Sequence, residues 1–530
     1  MERLDSAISK GIKKETQAKA EVKFYPRLDS AISKGRQKLT HPNVVVKCYP
    51  TYVQDLPEGN ETGKYLALDI GESVSKFRVL MINCTKKGCE TLSEIYPIAQ
   101  PLLNGPGVEL FDYVAQCLAD FVNKRHIGKK KLELGLSFGF PVNQTALNEG
   151  VLVKWTKGFK CDGVVGRDVV TMLREALDRQ NKVNMKIVAL INDSTGCLVS
   201  CAHEHQDCKI GVIIGTGFNA CYVEESKCVT TFTNVNNKPF VIVNTEWGAF
   251  GEDGSLDFLL TEFDWTVDET SHNKYSYIYE KMVARPYWGE LVRVIMENLT
   301  REGLILNGKG SKQLFTPGMI TTEDVISVET LAQGNLSICL KFLNDRLALP
   351  HATAQDCIDF HYVCSLVAIR SAHLVAAGIA CLINRTSFNP ITVGLDGSLY
   401  RNHPLYHDRL MAKIPKLLKS PKELKLVLAQ GGSGRGAALV CAVCAREVIR
   451  EEERKRREIE EAKERERQRI VEEKRRKEEE ELERIKDEIR KEKKKFLVCG
   501  SSSSSESGSD SSSGSGSDSN SETDFHWELR

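Results

Sequence analysis

Two apolar runs in the chain end in residues suited to hold a hydroxyl and a phosphate near each other. Residues 187–191 lead into Asn192-Asp193-Ser194-Thr195-Gly196, and residues 209–214 lead into Gly215-Thr216-Gly217. The pattern predicts strand, loop, strand. A carboxylate at a strand end can take a proton from a hydroxyl, and a glycine-rich turn lets a phosphate approach backbone N–H groups. Read alone, this stretch is better taken as Asp193 capping the next helix and Gly-Thr-Gly making a hairpin turn, since Asn-Asp after a strand is common.

Other stretches add the same kinds of groups. Residues 65–69 and 77–82 read as strands joined by Ile70-Gly71-Glu72-Ser73-Val74-Ser75-Lys76, a polar loop that begins with Asp69 and can wrap phosphates, or else an ordinary hairpin. Lys154-Trp155-Thr156-Lys157-Gly158-Phe159 offers a Thr-Lys pair for a polyol, or a surface turn over a packed Trp155. Glu246 follows a predicted strand at 240–244, among aromatics and glycines. A strand at 391–396 ends in Asp396-Gly397-Ser398. A strand at 424–429 precedes a run from Gly431 to Ala438 whose N–H groups can face a nucleotide, although the Gly-Lys-Ser/Thr ending of a Walker A loop is missing. Apolar spacing predicts the supporting helices at 108–124, 167–179, 279–303 (broken or kinked at Pro286) and 356–385.

The 530 residues carry 73 Lys+Arg against 72 Asp+Glu, which argues against a globally basic nucleic-acid binder. No run of 18 apolar residues is present, and the N-terminus has no apolar signal core, so a cytosolic protein without a transmembrane segment is expected. The 17 cysteines are scattered; Cys441 and Cys444 fall in an apolar helical pattern and read as core, and free thiols in this number suit a reducing compartment. Residues 3–11 recur identically at 27–35 inside a polar N-terminal segment, 1–44, to which no function is assigned. Beyond residue 449 the chain alternates Glu with Lys or Arg at i,i+4, which predicts a solvated single helix to about 497. The Ser-rich acidic remainder, 498–530, is expected to be disordered and open to phosphorylation, and helix and tail together offer a surface for a protein partner.

From about Val45 to Ala445 the order of motifs resembles the hexokinase family. The matching stretches include YLALD with FRVL, LVKWTKGF, INDSTG, IGVIIGTGFNACYVEE, NTEWGAFGEDG, YEKM, WGELVR, VGLDGSLYRNHP and GSGRGAA. The resemblance implies an α/β, two-lobed, actin-like or ribonuclease-H-like sugar kinase fold with the cleft between a small lobe, 45–203, and a large lobe, 204–448. It implies transfer of phosphate from ATP, carried with Mg²⁺, to the 6-hydroxyl of a hexose, most simply glucose, by a monomer. Asp193 matches the general base, with Lys157 assisting. Thr156, Lys157, Asn192, Asn219, Glu246 and Glu290 match the sugar-binding set. Asp69, Gly71 and Arg78, then Gly215, Thr216 and Gly217, match the two phosphate loops. Asp396, Gly397, Ser398, Gly432, Ser433 and Gly434 match the adenosine side. No protein metal site is implied.

The chain also departs from the family pattern. The loop from Gly71 to Arg78 is two residues longer, with Glu72 in place of a second glycine, and Gly139 stands where the family has the serine of Ser-Phe-Pro. The segment before Tyr279 lacks the usual Gly and Gln. These changes support an alternative, a hexokinase-fold binding or scaffold protein with weak or no turnover.

Overall fold

The computed structural model describes residues 16–37, 44–71, 73, 75–85, 88–127, 132–233, 237–330 and 336–499. The first nonapeptide copy, Glu72 and the Ser-rich tail from Gly500 lie outside these. The chain divides into two compact units, Met1–Ile449 and Arg450–Arg530.

The first unit contains two sheets of the same topology. In the small lobe, β2 (Gly63–Ile70), β3 (Lys76–Thr85) and β4 (Gly88–Pro97) form an antiparallel meander, and β5 (Leu132–Phe138) and β8 (Met185–Ile191) add in parallel, giving the order β4-β3-β2-β5-β8. In the large lobe, β9 (Cys208–Ile214), β10 (Phe218–Glu225) and β11 (Phe240–Asn244) form the meander, and β12 (Ile391–Asp396) and β13 (Leu424–Leu428) add in parallel. The two-residue β1 (Tyr49–Pro50) pairs with β11. Parallel strands are covered on both faces, which explains the unbroken burial of β12 and of most of β2; edge strand β4 is largely exposed. A separate hairpin, β6 (Val142–Ala146) with β7 (Glu149–Leu152), leads into the Thr156-Lys157 loop.

Three large-lobe helices begin with a Thr-x-x-Asp capping box: Thr261 with Asp264, Thr321 with Asp324 and Thr353 with Asp356. In each, two N–H groups that the first turn cannot satisfy find partners. The last of these opens Ala354–Arg385, a helix apolar and long enough to cross a membrane by composition; its most apolar stretch is 83% buried within the fold, and it is the central core helix.

Four expectations change. First, the segment at 192–196 is not a loop. Asn192 caps α4 (Asp193–Ala202), its side chain accepting from Ser194 N, so Asp193 stands at the first position of a helix. Here and below, the other numbered helices are α1 (Thr16–Gln37), α2 (Gly107–Lys124), α3 (Val169–Gln180), α5 (Glu262–Thr270), α6 (Ile278–Val283) and α7 (Arg285–Arg301). Second, the folded chain does not begin near Val45. The second nonapeptide copy lies in α1, and Phe24, Leu28 and Ile32, four apart, form a buried stripe. Phe24 packs edge-on against Phe250 and Tyr279, while Arg385 bonds the Asp29 carboxylate and donates to Ser33 Oγ at 3.1 Å. Each buried aliphatic side chain contributes roughly 1.5–3 kcal/mol, enough to hold a polar-looking helix on the core. Third, Pro286 does not kink a long helix; it falls in the first turn of α7, where its missing N–H costs nothing, and α6 precedes it. Fourth, Cys84 and Cys89 are opposite each other in the β3–β4 register and form a disulfide, while Cys441 is a buried free thiol, as expected.

The second unit is helical up to Cys499, as the end of the helix Gly432–Cys499, and is exposed throughout residues 452–495. Its contacts are ladder pairs such as Lys455–Glu451 at 3.4 Å and Lys477–Glu473 at 3.0 Å. Surface pairs of this kind contribute little each.

Candidate active site

Two adjoining cavities lie between the lobes of the first unit. The smaller, about 30 Å³, is lined by Thr156, Lys157, Asn192, Asp193, Asn219, Glu246 and Glu280, with Gly139, Phe140, Tyr277 and other neighbours. The larger, about 440 Å³, is lined by Asp69, Arg78, Gly215, Thr216, Gly217, Asp396, Gly397, Ser398 and Ser433, together with Lys76, Arg285 and Arg401. Lys157, Asp193, Ile213 and Gly217 line both.

The floor of the small cavity is a closed amide–carboxylate network. Asn219 Nδ2 donates to Asn192 Oδ1 at 3.1 Å, Asn244 Oδ1 at 2.8 Å and Glu246 Oε1 at 3.2 Å, and Asn244 Nδ2 donates to the same Glu246 oxygen at 2.8 Å. Glu246 and Lys157 both hold left-handed backbone conformations, with φ of 53° and 55°. Non-glycine residues in that region store strain, which clusters at functional sites. Behind Lys157, Trp155 stacks on Phe159 at 5.4 Å and meets Phe140 edge-on at 4.8 Å, so the aromatic residues of this loop form its base.

Asp193 is held from both sides. Its Oδ1 accepts from Ser194 N at 2.9 Å, and its Oδ2 accepts from Lys157 Nζ at 3.2 Å. The same ammonium donates to Gly71 O and Gly139 O, each at 2.8 Å, and so ties the loop after β2 to Asp193. At Gly217 a Cβ would sit 3.0 Å from Lys157 Cε, a tight approach that the lysine side chain would have to relieve. The Gly-Thr-Gly segment is indeed a hairpin turn, joining β9 to β10 with Phe218 opposite Ile214, and it lines the phosphate-side cavity as well.

Glu290 does not join the site. Its carboxylate accepts from Arg293 at 2.9 and 2.7 Å and from Gly318 N at 2.9 Å on the outer course of α7. The acid that lines the cavity is Glu280, on α6, which accepts from Phe218 N at 2.8 Å. Burial pushes its pKa up to about 7 against that hydrogen bond and the nearby Lys157, with Glu246 and Asp193 adding repulsion. Burial also raises Glu246, with the Asn244 amide opposing. Glu280 lies in Tyr279-Glu280-Lys281-Met282, a recognised motif. The signal that separates it from Glu290 is the apolar residues on either side of it, which bury that short helix. Asn244, at the end of β11 and two residues before Glu246, was also not singled out.

On the phosphate side, Asp69 at the end of β2 accepts from Arg78 Nη2 at 2.9 Å and from Ser433 Oγ at 2.9 and 3.0 Å. Arg78 donates further to Gly431 O at 3.0 Å. Asp396 accepts from Gly397 N at 2.7 Å and pairs with Arg401. Gly397, at φ 108°, has no room for a Cβ, which would lie 2.4 Å from Ile214 O. Gly71, Gly432 and Gly434 are not in the lining. Gly71 packs on Gly139, Gly432 lies beside Arg78 and Asp396, and Gly434 packs against Leu80 and Asp69, so these glycines permit close approach of backbones.

The hexokinase family profiles match residues 9–203 and 209–443. Mouse Hexokinase-1 is 40% identical over 405 residues, covering 75% of this chain and 41% of the mouse protein. Human Hexokinase HKDC1 is 40% identical over 455 residues, covering 84% of this chain and 46% of its own. The chain thus spans less than half the length of these curated relatives. A solved hexokinase from Schistosoma mansoni, complexed with glucose, is 37% identical and superposes with a TM-score of 0.77 over 84% of this chain and 98% of that one. With both profiles in tandem and a whole solved relative covered at that identity, the chain belongs to the hexokinase family.

Proposed function

We propose that the protein transfers the terminal phosphate of ATP to the 6-hydroxyl of a hexose, with glucose as the first substrate to test. The observation that carries this reading is that Asp193 and Lys157 line both cavities, one ringed by amides and carboxylates, the other by cations and a glycine turn. Glu246, Glu280, Asn192 and Asn219 are the acceptors and donors for sugar hydroxyls. Asp193, with one oxygen on Ser194 N and the other near Lys157, accepts the proton of the attacking hydroxyl. Lys157 offsets negative charge developing on the phosphoryl oxygens at the junction. The binding of glucose by the Schistosoma relative supports a hexose in the small cavity.

Mg²⁺ fits as a passenger of the nucleotide. Asp69 and Asp396 are the carboxylates on the phosphate side, and both are already paired with arginines, so the metal's oxygens come chiefly from phosphates and water, with these acids at most in its outer shell. When bound, the metal neutralises phosphate charge.

The test is ADP release, coupled to a reporter, with glucose, fructose and mannose, on the full chain and on Asp193→Ala. Hexose-dependent ADP release that falls by about 10²–10⁴ in the variant at unchanged Tm is the expected outcome. No hexose-dependent release by the parent, or equal release by the variant, overturns the assignment; retained hexose binding without release would favour a binding or scaffold protein. The charged second unit we assign to partner binding, so a chain ending at residue 450 should keep kcat and KM.

A further inference from the structure

We propose that Arg285 contacts the terminal phosphates of the nucleotide, an inference that rests on the kinase reading above. Arg285 is the first residue of α7, and its backbone N–H donates to Gly215 O at 2.9 Å, which fixes it beside the Gly-Thr-Gly turn. Its side chain lines the phosphate-side cavity with Lys157 and Arg78. Its Nε is buried and has no hydrogen-bond partner among the described residues. A buried guanidinium N–H left unpaired is costly, and it belongs to a residue that lines the cavity in which a triphosphate would lie.

Three of the other four cations of this wall are already engaged, and the fourth, Lys76, is an ammonium at the start of β3. Arg78 is held by Asp69 and Gly431 O, Arg401 by Asp396, and Lys157 by two carbonyls and Asp193. Arg285 pairs with Glu323, whose side chain is 54% exposed. An exposed pair contributes little and is exchanged for water or another anion at small cost. Arg285 is therefore the guanidinium most easily turned to a phosphate, and a planar fork suits phosphate oxygens. Its bond to Gly215 O holds it against the Gly-Thr-Gly turn, which continues to Gly217 beside Lys157, so it bears on the phosphates and not on the nucleoside. An arginine between alanine and proline at a helix start gives no sequence signal of this, because it reads as a solvated helix end.

The experiment compares the full chain with Arg285→Ala, Arg285→Lys and Glu323→Gln. Titrations use the magnesium complex of a non-hydrolysable ATP analogue and, separately, AMP; steady-state assays give KM for ATP, KM for hexose and kcat. Arg285→Ala should weaken the ATP analogue about tenfold and raise KM for ATP to match, with AMP affinity and hexose KM within about twofold of the parent. Arg285→Lys should recover part of the loss, and Glu323→Gln should leave the analogue as tight or tighter. An unchanged ratio of analogue to AMP affinity in Arg285→Ala overturns the proposal. So does a Glu323→Gln loss equal to that of Arg285→Ala, because the pair would then be structural. If the parent releases no hexose-dependent ADP, the kinase reading fails, and the analogue titration still decides the role of Arg285.

Discussion

The hexose-side and phosphate-side cavities are built on different principles. The hexose side is small and already satisfied: Asn219, Asn244, Asn192 and Glu246 bond one another, and Lys157 is spread over two carbonyls and Asp193. Its volume of about 30 Å³ has room for roughly two waters, not a hexose. It is also bridged from lobe to lobe, with Lys154 standing over the Tyr277 ring at 4.2 Å. The phosphate side is more than ten times larger and lined by five cations against three carboxylates, counting Lys76, Arg78, Lys157, Arg285 and Arg401 against Asp69, Asp193 and Asp396. On the proposed function, a hexose would have to displace internal hydrogen bonds and part the lobes, whereas a triphosphate would enter space already charged to receive it. Closing the lobes again over the sugar would then exclude water from the proposed transfer.

The residue that joins the two cavities should give the largest effect. Lys157→Met removes the ammonium from both cavities and from the Gly71 and Gly139 carbonyls. We expect kcat to fall by about 10²–10³, the loss typical of one transition-state donor, with both KM values shifted. A loss confined to the KM for hexose would place Lys157 on the hexose side alone and break the description of a shared wall. Steady-state kinetics with each substrate varied in turn makes the distinction.

Glu280 tests the hexose side by itself. Because burial raises its pKa to about 7 from the ordinary 4.5, it is largely protonated in the folded chain at pH 6 and ionised at pH 8. A carboxylate is the better acceptor for sugar hydroxyls, so KM for hexose should fall as pH rises through 7, while KM for ATP should not follow this group. Glu280→Gln should raise KM for hexose about tenfold at pH 8 and flatten that profile. Stability moves the other way. Between pH 4.5 and about 7 the folded chain keeps a proton that the unfolded chain releases, so Glu280's contribution falls as pH rises through this window, and the full penalty is present above 7. A parallel pH trend in Glu280→Gln would assign the titration to another group.

What could be read in advance follows the same division. Asn192, Asp193, Asn219 and Glu246 sit at or beside strand ends, where an apolar run hands a polar residue to the cleft, and that pattern is visible in one dimension. Glu280 and Arg285 sit at the starts of consecutive helices, where local pattern marks a helix but not the cavity it faces; for the same reason sequence does not separate Glu280, which lines the cavity, from Glu290, which is not in its lining. Helix α1 was missed because three apolar residues four apart are diluted by lysines and a proline, and only the receiving groove, with Phe250, Tyr279 and Arg385, makes them a core stripe. The Cys84–Cys89 bond depends on the register of β3 against β4, an edge strand whose exposed composition gave no strand signal. The glycine turns were legible as turns, and their second role came from the strands they join.

Gly139→Ser should give the smallest effect and bears on how tightly the hexose side is already packed. The serine would restore the hydroxyl of the Ser-Phe-Pro pattern. A Cβ at Gly139 lies 3.0 Å from Lys157 Nζ and 3.1 Å from Asp193 Oδ2. These are close approaches, but Lys157 Nζ is the end of a flexible side chain and can give way by a few tenths of an ångström. The new hydroxyl can then donate to Asp193 or to a sugar oxygen. A neutral hydrogen bond contributes about 0.5–1.5 kcal/mol, so KM for hexose should fall roughly two- to tenfold with kcat within about twofold. If kcat instead drops tenfold or more at unchanged Tm, Lys157 has no slack against Asp193. The hexose side would then be a rigid wall, not a network that yields to its ligand.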